Sequence, residues 1–284
     1  SINTANTSVI NVKGNLHIDS GVFNAGSCTI NIEGDWDNNV GPAAFTEGGS
    51  RVVFKGGNYH QYIFQDGDFA TLEVNKSSGG ALRIQTNAIV NVAAYDWTAG
   101  AVDMLSGSFT AATLIDNGIA GSFYVNSGTT VTLGNMSRFP HLKGNLFISG
   151  GTMNIIAPIE SQWPGNGDAS ITMSGGELNV YPYGIEIVNN PPYTFTSNIT
   201  EGTIRTEGSF INHRSDFTPT GGTVELHGSN NTNITMNAGS LRGVTINKPT
   251  DKTETLETNA TVNDLLTIQN GTVQVNKKVL TTEG

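Results

Sequence analysis

Charge is scarce in this chain. Only 13% of its 284 residues are charged, and the 14 Lys and Arg are scattered, the only adjacent pair being Lys277-Lys278. With 24 Asp and Glu the net charge is −10. A phosphate backbone selects clustered cations, so nucleic acid is excluded as a partner. Cysteine is nearly missing. Cys28 alone can form no internal disulfide, and because it shares parity with Ile30 and Ile32 it is expected to point inward as a small buried hydrophobe. Residues 1–20 carry no basic start followed by an apolar run, so neither a signal peptide nor an anchor is expected there, and no membrane insertion. Helix formers are few, and no four-residue apolar spacing runs through the chain.

What is present is glycine, 35 residues of it, and a stretch written twice. Around Val52 the chain reads V-V-F-K-G-G-N, then L-E-V-N-K, then T-N-A-I-V-N. From Val224 it reads V-E-L-H-G-S-N, then V-T-I-N-K, then T-N-A-T-V-N. All three pieces match at a constant offset of 172 residues. A duplication of this kind fixes architecture before anything else does.

A shorter period runs inside it. An apolar-x-apolar unit recurs at Ile10/Val12, Ile30/Ile32, Val52/Phe54, Leu72/Val74 and Val90/Val92, at spacings of 20, 22, 20 and 18. In the second copy it recurs at Ile204, Val224, Val244 and Val262. Period-two alternation is that of a strand with one buried face. One winding of such strands cannot bury its own face, so windings stack about 4.8 Å apart. The expected fold is all-β, a right-handed parallel β-helix (β-solenoid) of roughly thirteen coils. Residues 1–284 read as a single elongated solenoid, with 34–92 the first repeat copy, 158–192 a loop-rich middle and 206–275 the second copy. Ile10, Ile30, Val52, Leu72 and Val90 are expected in one inward column, and Val12, Ile32, Phe54, Val74 and Val92 in the next. The chain starts and stops inside the pattern, so it is expected to be a segment of something longer with uncapped end coils.

The middle stands apart. Pro158, Pro164, Pro182, Pro191 and Pro192 are five of the nine prolines. Proline cannot donate in a central ladder, so these segments are expected to leave the coil as loops. Trp163, Tyr181, Tyr183 and Tyr193 lie there too. Such rings can stack on sugar C–H faces as a ligand-binding surface, or pack their own loops against the coil. Arg205 and Glu225, outward on adjacent coils, are expected to form a lateral ion pair.

Chemistry is thinner. Asp35 and Asp37 (G-D-W-D) and Asp66 and Asp68 (Q-D-G-D-F) sit in turns. They read as solvated carboxylates, as a calcium site or as catalytic acids. At the 172-residue offset Q-D-G-D-F becomes N-A-G-S-L, so the coil does not need it. His60, His141 and His213 lack metal-ligand spacing. There is no G-x-S-x-G or phosphate-binding Gly loop. No catalytic residue, metal or cofactor is assigned, and the chain is expected not to be an enzyme.

The run G-D-W…F-x-x-G-G…V-V-F-K-G…F-A-T-L-E-V-N-K-S-S-G…N-A-x-V-N-V resembles parallel β-helix repeats of large secreted, adhesin-like surface proteins of Gram-negative bacteria. The resemblance covers 34–92 well and 206–275 more weakly, and it departs at Asp264, where Val92 has its counterpart. It implies a secreted, cell-surface module, structural or adhesive. Expected partners are surface glycans, or further copies end to end in a filament. A carbohydrate-binding or polysaccharide-degrading β-helix is the competing expectation.

Overall fold

Side chains that alternate along the sequence meet their counterparts one winding away, in register and with the strands parallel. Ile10 pairs with Ile30, Ile30 with Val52, and Val52 with Leu72. The computed structural model describes residues 2–3, 8–57, 59–77, 79–85, 87–115, 121–134, 141–142, 144–161, 168–189 and 191–282. The chain is an all-β parallel solenoid of about 11 turns, 1% helical. Its coils gather into two compact units, Ser1–Arg138 and Phe139–Gly284.

In the first unit each full coil has three faces. The first carries Val9–Val12, Thr29–Ile32 and Arg51–Gly56. The second carries Leu16–Ile18, Trp36–Asn38, Gln61–Ile63 and Ala81–Ile84. Phe23–Asn24 and Phe45–Thr46 belong to the third. Long strands such as Gly67–Lys76 and Ile89–Ala99 turn the corner from third face to first without a break. This corrects the last member of both expected columns, since Val92 likewise stacks on Phe69 and Ala111 and not on Val74. Leu72 stacks on Tyr95 and Val74 on Trp97, whereas Val90 stacks on Gly67 and Phe109. The buried parity switches from even (Val90, Val92) to odd (Tyr95, Trp97) across the corner. Val262 is likewise off the Ile204–Val224–Val244 column, which continues to Leu266. Asp264 is therefore not a core position; it is exposed, 3.4 Å from Arg242.

Aromatic rings fill the wide part of this core. Trp36 meets Phe45 at 4.7 Å and Phe69 at 5.1 Å, and Tyr95 meets Phe109 at 5.2 Å. Each buried Val, Leu, Ile or Phe stabilises by about 1.5–3 kcal/mol. Cys28 is fully buried, as its parity requires.

In the second unit, Met153 stacks on Leu178 and Leu178 on Ile204, at spacings of 25 and 26 residues. Longer windings here give fewer turns than the roughly thirteen a 20-residue period predicts. The proline-rich stretch does not leave the coil as a whole. Ile159–Ser161, Ala169–Val180 and Ile185–Ile187 remain in ladders, and the described prolines of the stretch fall between strands. Proline is excluded from the hydrogen-bonded rungs but tolerated at the corners.

One buried feature escaped the hydrophobic pattern. The inward parity of Leu72 and Val74 continues to Lys76, which is 1% exposed. Its ammonium donates to Gln61 Oε1 at 2.6 Å and lies 5.1 Å from the Tyr59 ring centroid. Burial pulls its pKa down to about 8, partly opposed by Asp35. At the 172-residue offset stands Lys248, also 1% exposed. It donates to the carbonyls of His227 and Asn230 and sits 3.4 Å from buried Glu254. The duplication thus extends to an interior lysine, with different partners in each copy.

Candidate functional site

Of the four rings expected to form an aromatic surface, Tyr181, Tyr183 and Tyr193 are described. Trp163 lies outside the described residues. Tyr181 packs edge-on against His227 with centroids 5.8 Å apart, and burial raises its hydroxyl pKa above the ordinary tyrosine value. Tyr183 is half exposed and Tyr193 partly buried. No ring contact among the described residues joins Tyr181, Tyr183 and Tyr193.

The turn carboxylates have a common duty. Asp35 Oδ1 accepts the Tyr62 N–H at 2.9 Å, and Asp66 Oδ1 accepts the Ile89 N–H at 2.7 Å. Asp168 does the same for Thr194, and this N–H holds its carboxyl below the usual range. Asn15, Asn231 and Asn259 accept in the same way from Asp35, Thr253 and Val279. Each side chain thus satisfies a backbone donor of the next winding that would otherwise lack a partner at a corner. Asp37 bonds His17, and Asp68 receives the Asn91 amide. No group of three or more potential metal-ligating side chains forms among the described residues.

Outward polar groups also stack. Asn31 donates to Asn11, and Asn179 to Asn154. Arg205 bridges Glu177 at 2.6 Å and Glu225 at 2.8 Å, extending the expected pair to three coils. Arg51 contacts both Glu73 and Asp96, and Glu73, although outward by parity, is only 8% exposed.

A concavity on the first unit was not singled out by sequence. It is an open groove of about 340 Å3 at one corner of three successive coils. The turn Asn38–Pro42 forms one wall, Phe64–Asp66 the floor, and Asn87 with Ala88 the other wall. Asn38 Nδ2 donates to the Gly41 carbonyl at 2.7 Å and so fixes the first wall. Gln65 donates to Asn39, and Asn39 to Asp19, so their amides are held in a chain. Phe64 is 36% exposed and stacks on Tyr62 at 5.4 Å, with an interplanar angle of 21°. Arg83 in turn covers Tyr62, 5.9 Å from its centroid. The Asn38 Oδ1 is buried without a partner.

No protein-family model, curated protein or solved structure matches the chain. The groove's geometry therefore has to speak for itself. Q-Y-I-F placed Tyr62 on the outer face of the strand Gln61–Ile63 and Phe64 just past its end, and these two outward aromatics were the signal available in the sequence.

Proposed function

We propose that the chain is a structural and adhesive module of a secreted bacterial cell-surface protein, a stiff solenoid that presents ligand-contacting surface away from the cell. The observation that carries this reading is what the duplication preserves. At the 172-residue offset the buried apolar positions and even the buried lysine recur, while the turn residues Asp66 and Asp68 become Ala238 and Ser240. Framework was copied and surface was free to diverge, as in a repeat scaffold whose coils contact only their neighbours. Ladders of Asn, Asp and Arg on the outside support it further, since they tie coil to coil. Antibodies raised against the purified chain test the reading. They should label intact cells of the source organism; labelling only after permeabilisation would remove it.

A second reading, a filament subunit, draws on the coil formed by Leu266–Asn270, Thr272–Gln274 and Leu280–Thr282. Leu265, Ile268 and Val279 are 64%, 53% and 57% exposed there. An open parallel edge accepts further strands, from continuing chain or from another copy. Light scattering of the purified chain at rising concentration should show growing mass for a filament subunit and constant mass otherwise.

A further inference from the structure

We infer that the groove at Asn38–Pro42, Phe64–Asp66 and Asn87 binds an uncharged saccharide carrying neighbouring hydroxyls. The inference deepens the adhesive reading above and rests on it. Three features carry it together. First, the groove offers a flat aromatic surface that is already ordered. Phe64 is exposed but braced from behind by Tyr62, itself covered by Arg83. A sugar's apolar C–H face meets such a ring at little conformational cost.

Second, polar groups converge on the same space, and they suit paired hydroxyls. Asp66 spends Oδ1 on the Ile89 N–H, and its Oδ2 has no partner among the described residues. A carboxylate oxygen accepts from hydroxyls with the strength of a charge-assisted bond. Asn87, exposed on the opposite wall, is held in the left-handed region (φ 63°) by the turn and through its N–H to Ser106 Oγ at 2.8 Å. Its carboxamide offers both a donor and an acceptor, the complement of a hydroxyl. The Asp19–Asn39–Gln65 chain fixes the remaining amides in place before any ligand arrives.

Third, size and charge narrow the class. About 340 Å3 lies at the small end of ligand sites and is open on one side. Such a site takes one or two rings of a longer chain. The charged group lining it is Asp66, next to a net charge of −10 for the whole chain. A uronate or sulfated polymer would meet repulsion with no lining cation to offset it. The expected ligand is therefore a neutral hexose polymer.

The test is a panel of neutral and uronate-bearing oligosaccharides, titrated into the intact chain and followed by calorimetry at up to about millimolar ligand. Three variants accompany it: Phe64→Ala, Asp66→Asn and Trp163→Ala. Phe64 is exposed, and asparagine retains the Oδ1 that caps Ile89, so both groove variants should keep the native circular dichroism spectrum. The wild type should bind neutral members. Phe64→Ala and Asp66→Asn should each weaken binding by roughly tenfold, with Trp163→Ala unchanged. Loss of binding in Trp163→Ala with none in the groove variants would overturn the inference. So would preference for uronates, or no binding to any panel member. Each of those results leaves the cell-surface reading standing, because antibody labelling of intact cells decides that separately.

Discussion

Replacing Lys76 by methionine should change how the first unit responds to alkali. Methionine keeps the unbranched length of the lysine and removes the ammonium. In the folded chain Lys76 has a pKa of about 8 against the usual 10.5, chiefly because burial penalises the charged form. One pH unit of difference corresponds to about 1.4 kcal/mol, so near neutral pH the buried ammonium costs about 3 kcal/mol. The sign follows from proton counting. Between about pH 8 and 10.5 the unfolded chain holds more protons than the folded one, so stability rises with pH in that window. From about pH 7 to about pH 9.5 the wild type should gain about 2 kcal/mol relative to Lys76→Met. The variant also leaves Gln61 Oε1 without its donor, an offset of about 1–3 kcal/mol that does not vary with pH. Tyr95, fully buried, has a pKa raised well above 10, so it withdraws stability only in stronger alkali, and equally from both proteins. Urea unfolding in a Trp163→Phe background lets Trp36 and Trp97 report on this unit by fluorescence. A difference between wild type and variant that stays flat across the window would refute the reasoning.

The second copy should behave differently. Lys248→Met strands Glu254 in the core and should cost roughly 3–5 kcal/mol, while Lys248→Met with Glu254→Gln should recover part of it; a double variant no more stable than the single, by urea denaturation, counts against the pairing. Leu72→Ala removes a fully buried side chain from the Ile30–Val52–Tyr95 column and should cost about 2–5 kcal/mol, measured the same way. Gly107 adopts φ +87°, and a Cβ there would lie 2.3 Å from the Ala88 carbonyl oxygen. Gly107→Ala should therefore destabilise by about 1–3 kcal/mol and speed amide exchange at Ser108, whose N–H bonds that same carbonyl.

Much of the framework was legible because stacking makes neighbours of residues one winding apart. Ile10, Ile30, Val52 and Leu72 share parity and spacing, and they share a column. Cys28 followed from parity alone, and Arg205 with Glu225 from adjacency of outward positions. Tyr95 was missed because the strand Ile89–Ala99 bends across a corner, and a bend switches which parity faces inward. Lys76 was missed because hydrophobic patterning counts a lysine as surface, although its parity put it inside. In the aromatic middle, what the sequence did not show is that Tyr181 packs against His227. Of the groove, the sequence carried only the outward aromatics Tyr62 and Phe64, and nothing that joined them to Asn38 or Asn87.

Sequence by itself determined that this chain winds. A strand with one apolar side, returning at a near-constant interval between glycine-rich turns, can hide that side only by lying on copies of itself. Which corners fall together was decided by tertiary structure alone. Among the described strand pairs, coil lengths range from 19 residues between Val90 and Phe109 to 27 between Trp36 and Ile63, and the extra residues change which turn side chains lie over one another. Phe64, Asp66 and Asn87 become neighbours only once those unequal windings are stacked.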